Sequence, residues 1–325
     1  MRKCVTILGI TFLMAVGICG CSFPKYEKVG TDSHVQMSEK DVELTTETAP
    51  VISLEPKSDA EPAAGAESIT AAGYQEITLN PEWKYAGFAK ITSGTAVLYQ
   101  SQEANRKGKT ICVNAGHGTA GGSSVKTLCH PDGTPKVTGG TTGAGAVSAS
   151  AVSGGMTFSD GTFEAEVTLA MAKVLKDKLL ARGYDVLMIR ENDDVQLDNI
   201  ARTVIANNAA DCHIALHWDS TTKDKGAFYM SVPDVASYRS MEPVVSNWSR
   251  HHDLGDSLIA GLKDNGVKIF SDGTMAMDLT QTSYSTVPSV DIELGDKASD
   301  HSAEALEQLG KGLADGVDKF FEPNI

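Results

Sequence analysis

Residues 163–190 read FEAEVTLAMAKVLKDKLLARGYDVLMIR. Val167, Met171, Val174, Leu175 and Leu179 recur at helical spacing and form one apolar stripe. Thr162 offers an N-cap and Gly183 a stop. The spacing predicts a helix over 164–182 and a strand over 184–190. A helix feeding directly into a short apolar strand is the repeating unit of an α/β sheet.

The alternation continues outward from this stretch. Thr110–Ala115 reads as a strand, Asp198–Ala209 as a helix and CHIALH, at 212–217, as a strand. Gly226–Val232 and VPSVDIE, at 287–293, read as two more strands. Ser302–Phe321 reads as a closing helix, with Leu306, Leu309, Leu313, Val317 and Phe320 on one side. The pattern predicts an α/β fold, an open, mostly parallel twisted sheet with helices on both faces, within a single domain over 109–325. Residues 76–108 bring packing side chains and one short strand candidate, Thr95–Tyr99, and read as an N-terminal wrap. Thr119–Gly161 is rich in Gly, Ser, Thr and Ala with no period, and is expected to be a structureless insert of functional importance.

The first 75 residues are not fold. Arg2 and Lys3 precede an apolar run, Val5–Gly20, too short for the roughly 20 residues of a membrane-spanning helix. Residues 1–20 read as a signal peptide. Ile18-Cys19-Gly20-Cys21 resembles a bacterial lipobox, which implies cleavage before Cys21, lipidation of its sulfur and a membrane-anchored lipoprotein facing the cell wall. A plain secretory signal is the alternative. Residues 21–75 are Pro-spaced, with ten acidic and four basic residues over 22–75, and are expected to form a disordered acidic tether. The whole-chain charge of -14 argues against a nucleic-acid partner, because phosphate binding needs clustered Lys and Arg. Nothing in the pattern calls for a second copy, and a monomer is expected.

In α/β sheets ligands gather at the carboxyl ends of the strands. His117 follows the first strand between Gly116 and Gly118, His217 ends CHIALH, and Glu293 ends VPSVDIE. Glu164 opens the long helix, which also starts at that edge. Two imidazoles and a carboxylate are the donor set of catalytic zinc, with a fourth position left for water. A second carboxylate, free of metal, is what proton transfer in amide hydrolysis requires.

From about Asn80 onward the chain resembles the zinc-dependent N-acetylmuramoyl-L-alanine amidases. The likeness lies in ICVNAGHG (111–118), in the glutamate-led helix and its strand (163–190), in IARTVIANNAADCHIALHWDS (200–220) and in VPSVDIELG (287–295). It implies His117, Glu164 and His217 as zinc ligands and Glu293 as the catalytic carboxylate. It also implies peptidoglycan as substrate, cut at the amide between the muramic lactyl group and L-Ala. Two other readings stay open: a zinc peptidase on other extracellular peptides, and a wall-binding lipoprotein without catalysis. Three departures stand out: the long 119–161 insert, Asp296 where the family tends to have Phe, and Trp218-Asp219-Ser220 after His217.

Arg190 is expected to form a salt bridge, or at most to support the site or bind substrate, and Trp218 either to offer a flat face to substrate or to pack. Glu166 and Asp291 compete with Glu164 and Glu293. His213 is expected to be structural, and His130, His251, His252 and His301 to lie on the surface. Asp160 and Asp219 read as caps or turns. Cys112 and Cys212, each five positions before a histidine, are expected to be buried and turned from the metal face, and close together if their strands are neighbours.

Overall fold

The computed structural model describes residues 73–322. The signal segment, Cys21 and all of the tether before residue 73 lie outside the described residues. In chain order the elements are β1 (Tyr74–Thr78), β2 (Thr95–Tyr99), β3 (Thr110–Ala115), β4 (Lys126–Leu128), β5 (Ser148–Ser150), α1 (Glu164–Leu180), β6 (Asp185–Met188) and α2 (Asn199–Ala209). They continue with β7 (Cys212–Asp219), β8 (Ala227–Ser231), α3 (Ala236–Arg239), α4 (Val244–Asp264), β9 (Ile269–Ala276), α5 (Thr280–Tyr284), β10 (Ser289–Asp296) and α6 (Ala303–Phe321).

Eight strands form one sheet in the order β1-β2-β6-β3-β7-β10-β8-β9. Its centre, β6-β3-β7-β10, is parallel throughout. β1 pairs antiparallel with β2 and β2 with β6, so the expected wrap adds two strands to one edge. At the other edge β8 runs antiparallel to β10, and β9 parallel to β8. β1 starts at Tyr74, two residues before the expected boundary.

Helices cover both faces, as the alternation predicts. Met171, Leu175 and Leu179 of α1 are fully buried with Leu258 and Leu262 of α4 and Leu313 and Val317 of α6. Each such side chain contributes roughly 1.5–3 kcal/mol on burial. α2 buries Ala201 and Ile205 against the opposite face, with Cys112 and Leu187. Asp198 caps α2, its carboxylate accepting from the Ala201 N–H. Thr162 does not cap α1: the N-cap is Phe163, without a side-chain bond.

The sequence pattern assigns nothing to the region that forms α4 and β9. α4 packs through glycine and histidine as well as leucine, so its buried face does not read as an apolar stripe. A Cβ on Gly261 would lie 2.3 Å from the Gly312 carbonyl oxygen of α6. His251 is buried and accepts from the Ser289 N–H at 2.9 Å, which corrects its surface assignment.

The two buried thiols also differ from expectation. β3 and β7 are neighbours, but Cys112 pairs with His213 and Ile111 with Cys212. This one-residue offset sends the thiols to opposite faces and into separate cores. Cys112 shares the face of His213, so offset parity from His117 fails: the chain turns between them.

The insert is ordered. β4 and β5 form a small hairpin, and Cys129, Ala151, Val152 and Phe158 are buried. Its anchor is Asp278, wholly buried between β9 and α5. That carboxylate accepts from the Val137 N–H at 2.7 Å, the Thr138 N–H at 3.1 Å and the Thr138 hydroxyl. It also pairs with Lys136 and His130, each at 3.0 Å. His130, expected at the surface, is therefore a core partner. Burial works against the charge on Asp278, but these donors hold its carboxyl well below the usual range.

Removing one partner from a buried ion pair strands the other and costs about 3–5 kcal/mol. D278A is accordingly expected to lower the unfolding free energy by that order, read from denaturant titration, and to make residues 126–150 sensitive to protease. A depressed carboxylate stabilises the fold above its unfolded pKa of about 4, and that share is lost as pH falls below it. Acid unfolding curves should show a weaker pH dependence below about pH 4 in D278N than in the parent.

Candidate metal centre

β3 delivers the chain to Gly116-His117-Gly118. His117 and Gly118 both take positive φ, 63° and 67°. Gly116 is required by packing: a Cβ there would lie 2.3 Å from the His217 ring. The same glycine frame that admits the turn thus lets two imidazoles approach edge to face, with centroids 4.6 Å apart.

His117 Nε2 lies 2.9 Å from Glu164 Oε1, and His217 Nδ1 lies 3.0 Å from His117 Nε2 and 3.1 Å from the same oxygen. Each of these buried or nearly buried residues offers one atom to the group. The His117 Nδ1–H donates to the Ser153 carbonyl at 2.9 Å, which leaves Nε2 with its lone pair facing the group. Three lone-pair donors about 3 Å apart repel unless a cation sits among them. Their number and type are those of catalytic zinc, so the residues fit that ion.

Electrostatics point the same way. Burial opposes charge on His217, but Asp291, Glu164 and Glu293 together raise its pKa to about 10. Asp291 Oδ2 lies 3.6 Å from His217 Nε2, on the side away from the donor atom. Burial likewise opposes charge on Glu164, yet the two histidines hold its carboxyl well below the usual range. Its oxygens also accept from the Met156 N–H at 2.8 Å and the Trp218 N–H at 3.0 Å. Glu166, its competitor on α1, is absent from the cluster.

Glu293 pairs directly with His217 in the β7–β10 ladder. Its Oε2 is buried with no hydrogen-bond partner. Burial first, and then the neighbouring Asp291, push its pKa well above the ordinary carboxylate value. Asp296, the departure from the family's Phe, is a buried cap: it accepts from the Lys223, Lys225 and Ala298 N–H groups and fixes the loop after β7.

Arg190 and Trp218 take structural places. Arg190 is buried and makes no ion pair among the described residues. Its guanidinium donates to the carbonyls of Gly116 at 3.0 Å, Ala165 at 2.8 Å and Asn192 at 2.9 Å. Trp218 is 2% exposed and packs against Phe158, although it also borders the cleft beside the cluster. His213 is fully buried, 3.1 Å from the Asn114 amide, as expected of a structural histidine.

Arg202 escapes the sequence reading. It is buried on α2 and donates to the carbonyls of His117 at 2.7 Å and Ala115 at 3.1 Å. Burial, then repulsion from Arg190, push its pKa down to about 9. The available signal was an arginine enclosed by Ile200, Ala201, Val204 and Ile205. Two guanidiniums therefore hold the backbone of residues 115–117 from both sides.

The insert returns to the site at residues 153–156. Gly155 has φ 81°, and a Cβ there would lie 2.9 Å from His117 Cδ2 and 3.1 Å from Glu164 Oε2. Supporting residues of this kind alter metal affinity by about 10–100-fold. G155A is expected to weaken zinc binding within that range, measured by chelator competition, while H117A should abolish it.

The N-acetylmuramoyl-L-alanine amidase family (Amidase_3) matches residues 111–319. No curated protein sequence matches the chain. Among solved structures, the N-acetylmuramyl-L-alanine amidase Ami1 of Mycobacterium smegmatis is similar with TM-score 0.54 and 16% identity, over 68% of this chain and all of that one. Ami1 of Mycobacterium abscessus gives 0.52 and 16%, over 66% of this chain and 99% of that one. At such identity these likenesses establish the shared fold. With a family match over more than half its length and the His-Glu-His cluster in place, the chain belongs to the N-acetylmuramoyl-L-alanine amidases.

Proposed function

We propose that this amidase cleaves the bond between the muramic lactyl carbonyl and L-Ala of peptidoglycan, with His117, Glu164 and His217 as metal ligands and Glu293 as the proton carrier. The observation that carries the reading is Glu293: a buried carboxylate oxygen without a partner, one strand from a three-donor cluster. Bound in that cluster, zinc supplies a Lewis acid and a water acidified to a pKa of about 7.

Glu293 accepts the proton of the attacking water and returns it to the departing nitrogen. Its seclusion favours the protonated state once loaded, which suits the second half of that shuttle. Asp291 keeps the outer nitrogen of His217 turned away from the donor cluster. Arg190 and Arg202 hold the 115–117 backbone so that His117 keeps its geometry.

The lipobox at Ile18–Cys21 supports a wider reading, in which residues 1–20 are removed, Cys21 carries the lipid, and residues 22–75 give the enzyme its reach toward the wall. An extracytoplasmic site of action accords with the substrate of the family. Among the described residues no helix is long and apolar enough to cross a membrane. C21S is expected to abolish fatty-acid labelling and release the protein from the membrane fraction.

Digestion of purified peptidoglycan should yield peptide-free glycan and stem peptides beginning in L-Ala, read by mass spectrometry. E293Q is expected to keep its zinc and lose turnover by about 10²–10⁴-fold, the usual share of general acid–base catalysis. Full activity in E293Q would refute the role given to Glu293. Peptides cut at internal bonds would instead favour a general zinc peptidase.

A further inference from the structure

The donor cluster opens into a cleft of about 680 Å³, within the range of ligand pockets, and the insert forms one wall. Met156 and Glu164 both line it. They are tied to each other twice: the Glu164 N–H donates to the Met156 carbonyl at 3.1 Å, and the Met156 N–H donates to Glu164 Oε2 at 2.8 Å. Phe163 is the residue before Glu164, and it is bridged to Thr157, the residue after Met156. It stands at the rim of the cleft, beside a proposed metal ligand.

Two local rules are broken at Phe163. It is 59% exposed, the most exposed large hydrophobic among the described residues. It is also the N-cap of α1, with φ -80°, ψ 138° and no side-chain bond to the first turn. That backbone suits Ser, Thr, Asp or Asn, whose side-chain oxygen accepts from a first-turn N–H; a phenyl ring accepts nothing there. Glu166 already holds the third helical position, so a serine at 163 would complete a capping box. Phenylalanine thus contributes neither a cap nor core burial. Residues that break local rules without a gain in packing are expected where function retains them.

We propose that Phe163 is a sugar-binding residue, whose ring receives the muramic pyranose while the lactyl amide enters the donor cluster. The inference rests on the amidase reading and adds a substrate contact to it. Only the lactyl carbon and one ether oxygen separate the scissile carbonyl from the pyranose ring. A sugar whose amide lies at the metal ligands therefore sits within a residue or two of them, and the Cα atoms of Phe163 and Glu164 are about 3.8 Å apart. A pyranose presents a face of C–H groups, which packs against the negative face of an aromatic ring. The other exposed large hydrophobics, Val147 and Val245, are neither aromatic nor next to a ligand residue.

The test uses the zinc-loaded full chain and two substrates: a muramoyl peptide, and the same peptide carrying an O-methyl-lactyl group in place of the whole sugar acid. F163S and F163L are expected to lose roughly 3–10-fold in kcat/KM on the muramoyl peptide, the effect of one aromatic contact, and to match the parent on the sugar-free peptide. F163W should restore the muramoyl rate. F163S should keep its zinc and unfold at a higher denaturant concentration than the parent, because it gains the cap. Equal kcat/KM for parent and F163S on the muramoyl peptide, or equal losses on both substrates, would overturn the proposal and leave the amidase reading intact. A less stable F163S would assign Phe163 to the fold and overturn it as well. Cleavage of neither substrate by the zinc-loaded parent would overturn the amidase reading and this inference with it.

Discussion

Two parallel ladders, β3 on β7 and β7 on β10, bring the chemistry together. Ala115 lies opposite Leu216, and His217 lies opposite Glu293. The three strands thus finish at one edge, and α1 starts above them with Glu164 in its first turn. Moving β10 by one residue would turn Glu293 to the other face of the sheet, because side chains alternate along a strand. Register is fixed by the apolar residues that β3, β7 and β10 bury on the face covered by α1, α4 and α6, among them Val113, Ile214 and Ile292. Folding energy and catalytic geometry are therefore set by the same ladders.

What the ladders assemble is electrostatically unfavourable by itself. Two imidazole nitrogens and a carboxylate oxygen converge within 2.9–3.1 Å. Polar support surrounds them: Arg190 and Arg202 bind the carbonyls of the turn, and residues 153–156 of the insert supply the carbonyl that orients His117 and the N–H that orients Glu164. The insert is consequently part of the metal centre as well as a wall of the cleft. Its far end is secured by Asp278, in the segment between β9 and α5.

The same architecture explains the departures from the family pattern. Asp296 replaces an aromatic side chain by a cap that gathers three backbone N–H groups and orders the loop after β7. Trp218 points into the core opposite His217, as strand alternation requires, and serves packing. Met230 of β8 and Met275 of β9 line the cleft beside the donor cluster, together with Met277.

Local patterns determined a great deal. Helical spacing in 164–182, the short apolar runs at 110–115, 184–190 and 212–217, and the glycines around His117 were sufficient for an α/β sheet and for four residues at its carboxyl edge. Each depends on neighbours a few positions away, which is why sequence reveals it. The partners of Asp278, the paired arginines beneath the His117 turn, the buried state of His130 and His251, and the opposite faces of Cys112 and Cys212 were decided only in three dimensions. In every one of these cases the decisive partner lies tens to more than a hundred residues away in the chain, or depends on strand register. The insert shows the difference most clearly: its composition indicates loop, whereas buried hydrogen bonds to Asp278 and contacts with the ligands themselves hold it in one shape. Sequence identified which residues could meet a metal; tertiary packing, by satisfying the buried polar groups around them, decided how their donor atoms are held.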